Sequence, residues 1–171
     1  EGLVLSNTCS LARDMGDEAY SHLKKMMESQ KKSKKLLSVL PFSLFKRLMK
    51  WTVMKKKTDG FTQREKAVME ELCGAMLELL TKPYEYHMID FLCDAENYFG
   101  MTEKDFARWD DKVLLILSED GTTFNQACKD SLIAIMPHPT VVTNLTGGHL
   151  ALMVRLERYA RLVTEYIQKR I

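Results

Sequence analysis

The chain has 171 residues, of which 46% are hydrophobic and 28% are charged, and its formal net charge is +2. That length is enough for one domain, or for two small ones packed together, with a real hydrophobic core. The composition excludes intrinsic disorder and collagen-like repetition, and four cysteines are too few for a disulfide scaffold. Because no apolar run reaches the roughly 18 residues that a transmembrane helix needs, the sequence predicts a soluble, helical protein.

The charges are distributed unevenly along the chain. Residues 1–66 carry a net charge of +8, residues 67–130 carry −9, and residues 131–171 carry +3. A basic front can attract anionic surfaces, and an acidic middle can attract other copies of the chain. Alternatively, the basic and acidic parts neutralise each other inside one molecule. The charge pattern alone leaves both interpretations open.

Apolar residues recur at helical spacing along almost the whole chain. Thr102 with Asp105, and Thr123 with Gln126, have the spacing of capping boxes at helix starts. Lys57–Gly60 predicts a helix end and a turn. The apolar stripes that predict helices cover, in chain order, residues 19–30, 44–53, 68–79, 88–99, 106–117, 123–136 and 145–167.

We find no alternating strand pattern longer than four residues, so the predicted fold class is all-α, with about eight to nine helices. A boundary near residue 60 predicts two packed helical subdomains, 1–60 and 61–171. The chain begins at Glu1 without a Met and stops inside a helical pattern at Ile171, which favours a fragment or a processed piece.

Catalytic signatures are missing from the sequence. There is no phosphate-binding Gly-rich loop, no H-E-x-x-H and no G-x-S-x-G, and the four histidines are scattered. Gly147-Gly148 is better interpreted as close helix packing or a bent helix entry than as a ligand loop. The cysteines form no C-x-x-C pair, which favours buried reduced thiols in an intracellular compartment. We therefore expect no enzymatic activity, no cofactor and no metal site.

Basic residues give the strongest physical signal. Ten Lys and Arg residues fall between positions 31 and 57 with no intervening carboxylate. Each contributes about 1 kcal/mol near an anionic leaflet, so together they predict adsorption to a membrane surface. The same array would bind nucleic-acid phosphate with a steep salt dependence, and a solvated face without a ligand is the third interpretation. This basic patch consists of Lys31, Lys32, Lys34, Lys35, Lys46, Arg47, Lys50, Lys55, Lys56 and Lys57.

Two stretches carry a family resemblance. The first is LSVLPFSLFKRL at 37–48, followed by an apolar helix, a polar loop at 55–63 and Arg64-Glu65-Lys66. The second is PTVVTNLTGG at 139–148, which leads into a long helix. Together they resemble the N-terminal domain of orthomyxovirus (influenza-type) matrix proteins. The resemblance spans roughly residues 17–168 and points to a distant member, such as a thogotovirus-like matrix protein.

The resemblance implies two packed helical subdomains and a peripheral protein under a virion envelope. It also implies side-by-side polymerisation, binding to anionic lipid and contact with the ribonucleoprotein. The expected locations are the virion, the host cytoplasm and the inner face of the plasma membrane, with the nucleus as a further location. The family's basic import and RNA-binding cluster falls here at residues 91–96, which are acidic. Its zinc group would fall on the last helix, where this chain has His149 but no Cys.

The sequence-based hypothesis is therefore a viral matrix protein that adsorbs to anionic lipid, forms a layer and bridges to the ribonucleoprotein or RNA. The alternatives are a cellular all-α lipid-binding or adaptor module and an RNA-binding nucleocapsid-like domain. No small-molecule substrate is expected. The candidate residues for self-association are Asp94, Glu96, Glu103, Asp105, Asp110, Asp111, Arg155, Arg158 and Arg161.

Overall fold

The structure is a computed structural model that describes residues 1–10, 12, 14–56, 61–98 and 100–169, without the side chains of Lys56 and Glu96. The α-helices of these residues are α1 (Asp17–Val39), α2 (Phe42–Lys56), α3 (Gln63–Leu79), α4 (Lys82–Asp94), α5 (Glu103–Phe106), α6 (Gln126–Ile135), α7 (Ala151–Val154) and α8 (Leu156–Gln168). The strands are β1 (Leu3–Ser6), β2 (Val113–Ile116) and β3 (Thr140–Val142). Short 3-10 turns cover Ala95–Tyr98, Ala107–Trp109 and Gly148–Leu150.

The prediction of a mostly helical chain is confirmed, but the all-α prediction is wrong because the three strands form a sheet. Their order is β1-β2-β3 and both pairings are parallel, with Leu115 opposite Leu5 on one side and Val141 on the other. β2 falls inside the predicted helix 106–117. Its residues are at most 1% exposed. A strand buried on both faces is a continuous apolar run, which also satisfies helical spacing.

The sheet has a buried cluster on each face. On one face, Leu115 packs with Leu132 and Met136 from α6 and its end. On the other face, Leu114 packs with Tyr166 of α8. Helices therefore cover both faces, which is the arrangement that parallel sheets require because neither of their faces is polar.

The chain folds into two compact units. Unit 1 comprises Glu1–Leu23 and Tyr98–Ile171 and contains the sheet, and unit 2 comprises Lys24–Asn97 and has helical secondary structure. The core of unit 2 is built around Leu37, Phe45 and Ile89. These bounds differ from the subdomains 1–60 and 61–171 expected from the sequence, because β1 pairs with a strand from the second half of the chain.

Two of the predicted helix starts have different outcomes. The Asp105 carboxylate accepts from the backbone N–H of Thr102 at 2.7 Å, as the predicted capping box requires, although α5 is only one turn long. The predicted box of Thr123 with Gln126 is wrong. Asn125 caps α6 instead, and its side-chain oxygen accepts a backbone N–H three residues later at 3.0 Å. The predicted turn at Lys57–Gly60 lies outside the described residues.

Candidate functional site

The basic patch lies on α1 and α2 of unit 2. α1 continues through the lysine cluster at 31–35 and ends at Val39, so helical geometry spaces these side chains. The side chain of Lys56 and the whole of Lys57 lie outside the described part. The exposed members of the patch are Lys31, Lys32, Lys35, Arg47 and Lys55.

Two members of the patch are paired inside unit 2. The Lys34 ammonium forms an ion pair with the Asp90 carboxylate of α4, and this hydrogen bond raises the pKa of Lys34 above its ordinary value. Lys50 Nζ lies 3.1 Å from Glu70 Oε1 of α3. Both pairs join the basic part of the sequence to its acidic part. Neutralisation within the molecule therefore accounts for some of the patch, although the sequence around it contains no carboxylate.

Two further lysines of the patch lie against aromatic rings of α2. Lys46 Nζ is 4.9 Å from the centroid of Phe42, and Lys55 Nζ is 4.8 Å from the centroid of Trp51. Such contacts contribute about 0.5–1 kcal/mol at exposed positions. α2 therefore presents lysines and aromatic rings together on its surface.

The candidates for self-association are distributed over both units. Asp94 belongs to unit 2, and the other candidates with described side chains belong to unit 1. Some have partners within unit 1: Asp110 Oδ1 lies 2.7 Å from His138 Nδ1, and Arg155 Nε donates to Thr146 Oγ1 at 3.3 Å. The side chain of Glu96 is outside the described set. The exposed candidates are Asp94, Glu103, Asp105, Asp110, Asp111, Arg158 and Arg161.

A separate polar cluster lies at the carboxyl edge of the sheet in unit 1. Asn7 directly follows β1, β2 leads through Leu117 to Ser118, and the loop after β3 leads to His149. In open parallel α/β sheets, ligands bind in the crevice outside the carboxyl ends of the strands. Because the order β1-β2-β3 contains no reversal, the side chains at this edge, rather than the topology, make it a candidate site.

Asn7 connects the ends of β1 and β2 to the turn that carries His149. Its side-chain Oδ1 accepts from the Ser118 backbone N–H at 2.7 Å, and its backbone oxygen lies 3.1 Å from His149 Nδ1. Its φ of 44° is left-handed, a conformation that Asn adopts more readily than most residues. Asn7 is 9% exposed, and its Nδ2 is buried with no hydrogen-bond partner among the described residues. A strained residue with an unpaired buried donor suggests a functional position.

Asp120 shapes the loop that carries His149. Its two carboxylate oxygens accept from the backbone N–H of Gly147 at 3.0 and 2.9 Å, and Oδ1 also accepts from Gly148 at 2.9 Å. Both glycines have positive φ, +115° and +53°. A Cβ on Gly147 would lie 2.8 Å from Val154 Cγ2, so this turn requires glycine. This turn also breaks the helix predicted over 145–167.

The orientation of His149 follows from its partner. Because a backbone carbonyl oxygen only accepts, Nδ1 of His149 must donate to Asn7, and Nε2 carries the lone pair when the ring is neutral. The Phe124 ring meets the imidazole edge-on, with 6.2 Å between the centroids. An orienting bond at Nδ1 is the usual arrangement of a histidine whose Nε2 acts as a base or ligand.

These groups surround a shallow pocket that is open to solvent and encloses about 10 Å³. The pocket is lined by the polar residues Asn7, Lys129 and His149, which carry an amide, an ammonium group and an imidazole. The apolar part of its wall consists of Leu117 and Phe124. Small-molecule sites combine apolar walls with a few convergent polar groups in this way. This enclosed space is about the size of one water molecule or one ligand oxygen, so the rest of a ligand would lie in the open part of the pocket.

Burial suppresses the reactivity of three of the cysteine thiols. Desolvation raises the pKa of Cys9 to about 11 and raises the pKa of Cys73 and Cys128 above the ordinary value. All four cysteines are unbridged.

No group of three or more His, Cys, Asp or Glu side chains within the described ranges is arranged to hold a metal ion. In the same ranges, no helix is both long enough and apolar enough to cross a bilayer.

Sequence reasoning overlooked the site at the sheet edge. Asn7, Asp120 and Lys129 were not among the candidate residues, and Gly147-Gly148 was interpreted as helix packing. The available signal was three short apolar runs, each followed by a polar segment: LVLSNT, VLLILSED and TVVTN.

No family model, curated protein or solved structure matches this chain. Its function is therefore inferred from its own geometry.

Proposed function

We propose that unit 1 carries the acid–histidine part of a hydrolase-type site, with His149 as the general base. In α/β-hydrolases the acid precedes the histidine in the chain, and both act at the carboxyl side of a parallel sheet. Here Asp120 follows β2, and His149 follows β3, the neighbouring parallel strand. The observation that carries the proposal is the His149 ring, held through Nδ1 by Asn7, with Nε2 left to accept a proton.

The acid has a different task here from the one that it has in a Ser-His-Asp triad. Asp120 binds the Gly147 and Gly148 amides and so fixes the turn before His149. The Asn7 carbonyl oxygen sets the histidine tautomer. A backbone carbonyl can serve this purpose as a carboxylate does, because either one accepts the Nδ1 proton.

The reaction that this arrangement supports is ester hydrolysis by general-base catalysis. Nε2 of His149 removes the proton from the attacking oxygen as that oxygen adds to the ester carbonyl carbon. The imidazolium then returns the proton to the departing alkoxide, so that the products are a carboxylic acid and an alcohol. The 171 residues contain no G-x-S-x-G motif. We assign the attacking oxygen to a water molecule, which gives the carboxylic acid and the alcohol as products.

The experiment compares two histidine variants of the full chain with p-nitrophenyl acetate as substrate. General-base catalysis typically contributes a factor of about 100 or more, so His149→Ala should lower kcat/KM by at least that factor. His138→Ala is the matched control, because His138 is also an exposed histidine of unit 1 and does not line the pocket. Equal rates for the wild type and His149→Ala, or no turnover above that of free imidazole, would overturn the proposal.

A second candidate function is adsorption to an anionic membrane, which the exposed part of the basic patch favours. Lys31, Lys32 and Lys35 lie exposed on one helix, with Arg47 and Lys55 on the next. The more specific hypothesis of an orthomyxovirus matrix layer, with lateral assembly and ribonucleoprotein contact beneath an envelope, rests on the resemblance alone. That resemblance implied an all-helical fold, and it did not anticipate the parallel sheet of unit 1.

Liposome co-sedimentation across a salt series tests the second candidate. Reversing the charge of Lys31, Lys32 and Lys35 should abolish binding to anionic vesicles at low salt, because about 1 kcal/mol is lost for each cation. The matched control reverses the exposed lysines Lys104, Lys112 and Lys169 of unit 1. Binding that ignores lipid charge contradicts adsorption. Stronger binding to RNA than to vesicles would favour the nucleocapsid-like domain. A lipid retained inside the protein would favour the lipid-binding module.

A further inference from the structure

We propose that the pocket at the carboxyl edge of the sheet selects a ligand that carries an oxyanion group, which Lys129 and Asn7 bind beside His149. The inference rests on the proposed hydrolase-type function for the reaction, and it adds the class of substrate. An ester that bears a carboxylate is the simplest such substrate.

Lys129 is the cation that would recognise the ligand. It belongs to the first turn of α6, and its Nζ donates to the Ser118 backbone oxygen at 2.7 Å, which holds the ammonium group at the pocket wall. An ammonium group has three donors, so two remain for a ligand. No carboxylate in the described part of the chain lies within ion-pair distance of Lys129. Among the described residues, the Lys129 ammonium group therefore has no ion-pair partner.

Asn7 supplies the second donor. Its Oδ1 is fixed by the Ser118 N–H, so the amide orientation is determined and Nδ2 is left as the unpaired group. Asn7 lines the pocket that Lys129 also lines. A buried donor without a partner costs about 1–3 kcal/mol. Because Nδ2 is buried in the structure, a ligand oxygen can accept from it only when neighbouring side chains move, and part of the cost is then recovered. Charge-assisted bonds to an oxyanion are the strongest that such a pair of donors can make.

The rest of the pocket favours an anion rather than a neutral ligand. None of the described residues that line it is acidic. The nearby carboxylate of Asp120 is already occupied by the Gly147 and Gly148 amides. The chain packs closely at Gly121, where an added Cβ would lie 3.2 Å from the Ser118 backbone oxygen and 3.8 Å from Lys129 Nζ. Among the described residues of the pocket wall, Lys129 therefore carries the only formal charge at neutral pH, and that charge is positive.

The test uses two aryl esters of nearly the same shape, 4-acetoxybenzoate, which is anionic, and its neutral methyl ester. The wild-type full chain should favour the anionic ester by about tenfold in kcat/KM, the lower end of what a hydrogen bond to a charged group contributes. Lys129→Met should lose that preference, and Lys129→Arg should keep much of it. Lys112→Met, at an exposed lysine of unit 1, is the matched control.

Failure of this inference and failure of the proposed function have different signatures. If the wild type hydrolyses both esters equally, or if Lys129→Met keeps the preference, the oxyanion site is wrong while the general base stands. If neither ester is hydrolysed, inorganic phosphate is titrated against the wild type and Lys129→Met by NMR. Phosphate-dependent shifts at Asn7 and Lys129 that the variant abolishes would support the site without the reaction, and their absence in the wild type would overturn it.

Discussion

Asn7 illustrates how one residue can organise a site from strands that are distant in sequence. Its side chain binds the loop after β2, and its backbone oxygen binds His149 after β3. In this arrangement Asn7 has a left-handed backbone conformation, and its amide donor has no partner among the described residues. Each of these features is unfavourable alone, and a ligand oxygen at Nδ2 would offset one of them.

The His138–Asp110 pair makes stability depend on pH. The Asp110 hydrogen bond, with smaller contributions from Asp111 and Glu103, raises the pKa of His138 above 6.5 in the folded protein. The stabilising effect is therefore fully present below about pH 6.5 and is lost as the pH rises through the folded-state pKa. We expect Asp110→Asn to lower Tm at pH 5.5 and to change it little at pH 9.

Thermal unfolding of the wild type and Asp110→Asn at both pH values measures this effect. Glu119→Gln, at another exposed carboxylate of unit 1, is the control and should show no such difference between the two pH values. If Asp110→Asn lowers Tm more at pH 9 than at pH 5.5, the result contradicts a stabilising interaction between Asp110 and protonated His138.

Among the elements, β2 explains why helices were easier to predict than the sheet. The amphipathic stripes over 19–30, 44–53 and 68–79 predict α1, α2 and α3, because each helix buries one face and exposes the other. β2 is buried on both faces, so its sequence has no alternation to identify it. Because the sequence of β2 predicts a helix, the sequence does not predict a sheet. It therefore does not indicate that Asn7, Asp120 and His149 lie near the same sheet edge.

The glycine turn before His149 should be the most sequence-restricted element of the site. Gly147→Ala places a Cβ against Val154 at a φ of +115°, and we expect a loss of about 2 kcal/mol or more in the free energy of unfolding. Gly74→Ala is the control, because Gly74 lies in α3 with nothing within 4 Å of its added Cβ. That substitution should stabilise by about 0.5–1 kcal/mol.

Urea unfolding of both variants tests the turn. If Gly147→Ala is as stable as the wild type, the loop tolerates a side chain there, and its geometry differs from the one described. A loss of stability for both variants would indicate a general intolerance of alanine rather than a special turn.

At the scale of the whole molecule, two units carry separate charges and separate candidate functions. Residues 24–97, which form unit 2, contain 15 Lys/Arg and 10 Asp/Glu, a net charge of +5. The basic segment can be read directly from the sequence, but the sequence did not predict which lysines are paired. Lys34 and Lys50 find their partners through the packing of α3 and α4. The net charge of +2 is therefore a poor guide to either unit.

Amide hydrogen exchange should separate the parts of the molecule by stability. β2 is the central strand, and its residues are at most 1% exposed, so its amides should exchange most slowly in the chain. Unit 2 exposes several large apolar side chains, among them Leu79 at 84% and Val39 at 75%, so its helices should exchange faster. Faster exchange in β2 than in α2 would contradict the described core.

The central claim is that His149 donates from Nδ1 to the Asn7 carbonyl oxygen, which leaves Nε2 as the base, and long-range ¹H–¹⁵N NMR of the imidazole tests this directly. At pH 9, where imidazoles are neutral, we predict that His149 is the Nδ1–H tautomer, with the ¹⁵N shift of Nε2 typical of an unprotonated nitrogen. His149→Ala assigns the resonance. A spectrum in which Nε2 carries the proton would contradict the bond to Asn7 and, with it, the assignment of His149 as the base.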